Sequence, residues 1–142
     1  MTGQGPLAFD ADPFEKAFGQ LAGPVHWPSL SRDEAVHAFA DLRVWVDQLV
    51  DRFAIEVRMI PPCWQQHNGM VEALSALRDH ERACYADTAS PTAAVDWFRA
   101  LRDIEARLIE LASKTQCSAH EHRGEVSRRS WVATETVSAQ SC

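Results

Sequence analysis

At 142 residues the chain is most simply one domain with some length to spare at its ends, and a 46% apolar share is that of a globular protein in water. A formal charge of −6 argues against an electrostatic grip on nucleic acid or on an anionic membrane. No apolar run is long enough to span a bilayer. The first residues, with Asp10, Asp12 and Glu15 and no basic start, do not look like an export signal. The cytosol is therefore the expected compartment. There Cys63, Cys84, Cys117 and Cys142 are expected as thiols, buried or bound to metal rather than paired as disulfides.

Residues 1–30 form a Gly- and Pro-rich arm with one short amphipathic helix. Asp12-Pro13-Phe14-Glu15 offers a capping Asp, Pro at the first helical position and Glu at the third. Phe14, Phe18 and Leu21 then share a face. Short helices rarely stand alone, which favours a flap docked on the main domain over a free partner-binding peptide. Gly23-Pro24 ends this helix and Trp27-Pro28 leads on as extended chain.

Ser31-Arg32-Asp33-Glu34 has the spacing of a capping box. Behind it Ala35, Phe39, Leu42, Val46, Leu49 and Phe53 alternate steps of four and three, the stripe of a helix whose one face is buried. Trp45 adjoins that stripe. The pattern predicts a helix to about Val57, stopped by Ile60-Pro61-Pro62. Cys63-Trp64-Gln65-Gln66-His67 follows. Asn68 is placed to cap a second helix, whose inner stripe is Met70, Leu74, Leu77, Glu81 and Cys84, with Val71 and Tyr85 beside it.

Asp87 to Ala89 is a short turn. Ser90-Pro91 then starts the longest helix, with a hydroxyl at the cap and a proline whose missing N–H had no partner there. Ala94, Trp97, Leu101, Ile104, Leu108 and Leu111 make its stripe, widened by Phe98 and Ala112. Arg99, Asp103 and Arg107 alternate in sign on the other face, where such pairs add only a few tenths of a kcal/mol each. The pattern fades near Lys114. Beyond about Gly124 the chain holds little but Ser, Thr, Ala, Glu and Arg, too little apolar surface to offset ordering, and residues 124–142 read as a disordered tail.

The expected fold is all-α: an antiparallel up-down-up three-helix bundle over residues 31–123, with the short N-terminal helix and tails outside it. In that order the end of helix one, the start of helix two and the end of helix three share a pole. Cys63 and His67 should then meet Cys117 and His120, with His122 as an alternative ligand. Two soft sulfurs and two imidazoles are the donor set of a structural zinc site. Cys63 and His67, four apart, would face the same way on one helical turn, and Cys117-x-x-His120 has the spacing of a short metal loop. Such spacings also arise by chance. The plainer alternative makes Cys63 a small buried residue beside Trp64, His67 a loop histidine, and His120 and His122 solvated. A Cys63–Cys117 disulfide fits the same geometry but is disfavoured by compartment.

The run Pro61-Pro62-Cys63-Trp64-x-x-His67, the stretch Val71 to Arg82, Ala94-Val95-Asp96-Trp97-Phe98 and Cys117-x-x-His120-x-His122 resemble small uncharacterised actinobacterial proteins, often encoded among plasmid-transfer and integrative-element genes. The resemblance covers roughly residues 40–123 and implies a setting without a mechanism.

His80-Glu81 lacks the second histidine of a zinc-protease helix, because position 84 is Cys84, and reads as a solvated face. Asp96, Asp103, Glu105 and Glu110 lack the Glu-x-x-His pairs of a di-iron bundle. Arg78 and Arg82 are interleaved with Asp79 and Glu81, a mixed face rather than a nucleic-acid stripe. No phosphate loop, nucleophile elbow or dinucleotide fingerprint occurs. The first functional expectation is a non-enzymatic helical module, zinc-stapled, working through a protein partner in a plasmid or mobile-element setting. The second is a metal-dependent enzyme whose pole cluster keeps a position open for water, with Glu121 as base. The third is a weak nucleic-acid-binding regulator using Arg123, Arg128 and Arg129 in the tail.

Overall fold

The computed structural model describes residues 23–115 and Cys117, and among these every regular element is helical. The three helices are α1 (Arg32–Phe53), α2 (Asn68–Cys84) and α3 (Ala93–Thr115). Single 3-10 turns at Trp27–Ser29 and Trp64–Gln66 precede α1 and α2. The all-α expectation holds. The expected helix near residues 12–21, His120, His122 and the tail lie outside the described residues.

The capping box at the start of α1 is formed. The Ser31 backbone N–H donates to Glu34 Oε1 at 2.7 Å, and the Ser31 hydroxyl accepts from the Glu34 N–H at 3.1 Å. The Ser31 backbone, and after it the Ser31 hydroxyl, hold the Glu34 carboxyl below its ordinary range. At its other end α1 stops at Ala54, earlier than the apolar pattern predicted. Ala54 takes a left-handed conformation, φ 50°, and its N–H returns to the Val50 carbonyl. The Ser90 hydroxyl accepts from the Thr92 N–H at 3.2 Å, but α3 begins only at Ala93, so Ser90-Pro91 opens a turn ahead of the helix instead of supplying its cap and first residue. Asn68 is not the cap of α2; His67 holds that position.

The stripes read from spacing are the faces that pack. Phe39, Leu42, Val46 and Leu49 from α1, Met70, Val71, Leu74 and Leu77 from α2, and Trp97, Leu101 and Leu108 from α3 form one core with Trp27, Ile60 and Trp64. Phe98, expected to widen the α3 stripe, is 53% exposed although its ring edge meets Phe53.

The up-down-up order is not what the contacts describe. In a short-loop hairpin the end of α1 would meet the start of α2. Instead Arg52, one residue from the end of α1, pairs with Glu81 near the end of α2 at 2.8 Å. Trp45 Nε1 donates to the same carboxylate at 2.8 Å. Phe39, nearer the start of α1, lies against Trp64 just before α2, with ring centroids 5.8 Å apart. Contacts advance in the same direction along both helices, so α1 and α2 run in a like sense and residues 54–67 carry the chain back between them. The antiparallel pair is α2 with α3. Gly69 at the start of α2 faces Leu111 near the end of α3, where an added Cβ would sit 3.3 Å from the leucine.

The α2 face read as solvated is partly buried. Glu81 belongs to the inner stripe because Trp45 and Arg52 satisfy both its oxygens. Arg78 is only 8% exposed. Burial first, then the neighbouring Arg82 cation, pushes its guanidinium pKa down, against the pull of Asp79 and Asp41. Asp79 also accepts the Val25 backbone N–H at 3.2 Å, which ties the segment before α1 onto α2.

Two substitutions test this packing by urea denaturation. Leu42, at 0% exposure, should lose about 2–5 kcal/mol of stability when changed to Ala. Ala54→Gly should gain up to about 1 kcal/mol, because glycine adopts the left-handed cap without the Cβ clash. A neutral Leu42→Ala variant or a destabilised Ala54→Gly variant would contradict the core and cap described.

Candidate metal centre

The connection from α1 to α2 places two of the expected ligands. Cys63 precedes the Trp64–Gln66 3-10 turn, and the Gln66 N–H donates to the Cys63 carbonyl at 2.8 Å. The His67 N–H closes the turn on the Trp64 carbonyl at 3.1 Å. The His67 carbonyl then accepts from Met70 and Val71 at 2.9 and 3.0 Å, so the same residue starts α2. His67 itself is extended, φ −115° and ψ 107°. The two side chains therefore converge through a 3-10 turn ending in extended backbone, not along one turn of α-helix as the i, i+4 spacing implied.

Cys117 arrives from the end of α3, two residues beyond a buried Thr115 whose hydroxyl donates to the Ala112 carbonyl at 3.2 Å. Its sulfur lies 3.4 Å from His67 Nε2, and the Cys63 sulfur lies 3.6 Å from the same nitrogen. All three donor atoms fall within 4.8 Å of one another. Cys63 and His67 are 0% and 1% exposed, while Cys117 is partly exposed. Three of the four expected ligands thus meet; His120 and its alternative His122 lie outside the described residues.

These separations can be set against metal geometry. Zinc–sulfur and zinc–nitrogen bonds of about 2.3 and 2.0 Å at a tetrahedral angle leave sulfur and nitrogen roughly 3.5 Å apart. The observed 3.6 and 3.4 Å match that edge. A neutral imidazole beside two thiols can also hold them by weak sulfur–nitrogen hydrogen bonds at similar distances, so spacing establishes capacity for a metal rather than its identity.

The redox state qualifies the donor set. Cys63 is in a disulfide, whereas Cys84 is a thiol. The Cys63–Cys117 pairing considered from sequence is not formed, and the expectation that all four cysteines are thiols fails at Cys63. A disulfide sulfur has no thiolate charge to offer, so Cys63 ligates a metal only after reduction.

Cys84, at the end of α2, stands apart from this cluster. Burial first, then the Asp96 and Glu81 carboxylates, push its thiol pKa up. Among the described residues no helix is long and apolar enough to cross a membrane. Comparison with protein-family models, curated proteins and solved structures finds no match to this chain.

A raised pKa means less thiolate at any given pH, hence slower alkylation. In the native reduced chain at pH 8, Cys84 should react with iodoacetamide at least several-fold more slowly than glutathione, as followed by peptide mass spectrometry. A rate equal to that of glutathione would contradict the surroundings described for it.

Proposed function

We propose that the chain is a non-enzymatic helical module stapled by a structural zinc ion. The observation that carries this reading is the convergence of Cys63 Sγ, His67 Nε2 and Cys117 Sγ within 4.8 Å. Thiolate and imidazole together favour zinc over the hard oxygen-seeking cations. His120, or His122 in its place, supplies the fourth ligand in this reading.

A structural role is favoured over a catalytic one by burial. Catalytic zinc keeps one position open to water and substrate. Here the histidine and one cysteine are at most 1% exposed, and Trp64 beside them is 5% exposed. A nucleic-acid partner finds little support, because several arginines are committed to carboxylates on the same molecule. Arg52 pairs with Glu81, Arg82 with Asp79, Arg99 with Asp96 and Arg107 with Glu110. The partner we propose is a protein, met through surface apolar groups such as Val44, Val95 and Phe98, which are 59%, 53% and 53% exposed. The plasmid or mobile-element setting belongs to the same proposal and rests on the sequence resemblance.

The test is metal content of the full chain purified with a phosphine reductant. The parent should carry about one zinc per chain, while Cys63→Ala, His67→Ala and Cys117→Ala should each lose the metal and melt at lower temperature. Cys84→Ala should keep it. Replacing zinc by cobalt should give the intense visible absorption of a four-coordinate thiolate site, unchanged by added azide. Azide-sensitive absorption would favour an open, catalytic site. Reduced parent protein that melts cooperatively without metal would end the zinc reading.

A further inference from the structure

Beside its core face, α3 carries a second stripe. Val95, Phe98, Arg102, Glu105, Ile109 and Ala112 follow one another in steps of three and four, the spacing of a coiled-coil seam, over about 26 Å of helix. Val95, Phe98 and Ile109 are 53%, 53% and 48% exposed, although Trp97 and Leu108, their neighbours in sequence, are buried. Apolar groups left open at helical spacing mark a surface that takes another helix.

The charges at the centre of the stripe identify that helix. Within α3, Arg99 pairs with Asp96 at 3.1 Å and Arg107 with Glu110 at 2.9 Å. Arg102 and Glu105 are also three apart, yet among the described residues they form neither an ion pair nor a side-chain hydrogen bond. Two copies of the stripe laid antiparallel, with a two-fold axis passing between these residues, bring Arg102 of each copy against Glu105 of the other. The same operation sets Phe98 against Ile109 and Val95 against Ala112. Laid parallel and in register, Arg102 would meet Arg102 and Glu105 would meet Glu105. The stripe is therefore self-complementary in one direction only, as an isologous interface requires.

We propose that this face binds a second copy of the chain, as an antiparallel α3–α3 pair with reciprocal Arg102–Glu105 ion pairs at its centre. The choice of face rests on the protein-partner reading of Val95 and Phe98; the identity of the partner rests on the charge pattern. Contact along one helix falls short of a standard interface of roughly 1,600 Å², which puts the dissociation constant in the micromolar range.

Sedimentation equilibrium of the reduced full chain, from about 1 μM to about 1 mM, tests the pair. The parent should distribute between monomer and dimer. Arg102→Glu and Glu105→Arg should each weaken the dimer at least about tenfold, because each sets like charges together twice. Mixing those two variants, or combining both changes in one chain, should restore association, which structural damage would not do. Val95→Lys and Ile109→Lys should abolish it with the helical circular dichroism unchanged. Single charge reversals that leave association intact overturn the antiparallel pair. A monomeric parent overturns the second copy altogether. If Ile109→Lys then lowers the melting temperature of that monomer, a segment of the same chain covers the face and the protein-partner reading fails with it. If melting is unchanged, the face stays open to a different protein and that reading survives.

Discussion

The return of the chain between α1 and α2 is the constraint on which the rest of the architecture depends. Residues 60–67 are not a surface loop. Ile60, Pro61, Cys63, Trp64, Gln65 and His67 are all buried, and Trp64 packs its ring against Phe39. A buried connection has to satisfy its own backbone. It does so through successive turns: Trp64 donates to the Pro61 carbonyl, Gln66 to Cys63 and His67 to Trp64. Because this segment is folded into the core, α1 can lie in the same sense as α2 while α3 closes antiparallel on α2. The same turns deliver Cys63 and His67 to the end of α3, where Cys117 waits.

Opposite this pole a polar arrangement fixes the other ends of the helices. Glu81 accepts from Trp45 and Arg52, and the Arg52 guanidinium lies 5.0 Å from the Phe53 ring and 5.9 Å from the Trp97 ring. Trp45 meets Trp97 edge-on with centroids 6.4 Å apart. A carboxylate that is 15% exposed and doubly bonded is more than a surface ion pair, because removing either donor strands a partly buried charge. One pole is therefore held by a shared carboxylate and aromatic edges, the other by sulfur and imidazole.

Helices and their buried faces were legible in the sequence because periodicity is local. Leu42, Val46 and Leu49, or Leu74 and Leu77, declare their face through spacing alone, and Ser31 with Glu34 declares a start. Chain direction was not legible. Pro61-Pro62 marks a break, but nothing in it distinguishes a tight reversal from a longer return, since that depends on Trp64 finding Phe39. The site was nonetheless anticipated for three of its residues, although the expected route to it was a short hairpin. Both routes bring Cys63 beside the end of α3, because α2 and α3 are antiparallel in either. Spacing put Glu81 on the inner stripe while its charge, beside His80, read as a solvated face; such a side chain shows its burial only through partners far along the chain, here Trp45 and Arg52.

What a cross-link at this pole contributes follows from the chain it closes. Cys63 or His67 joined to Cys117 ties positions about 50 residues apart, the His67–Cys117 separation being 50. In the chain-entropy account, closing a loop of that size constrains the unfolded state by roughly 4 kcal/mol, a figure that depends on that account. Weak sulfur–nitrogen hydrogen bonds, at about 1 kcal/mol or less each, do not approach it. A helical domain of this size has a modest core and stands to gain from such a staple.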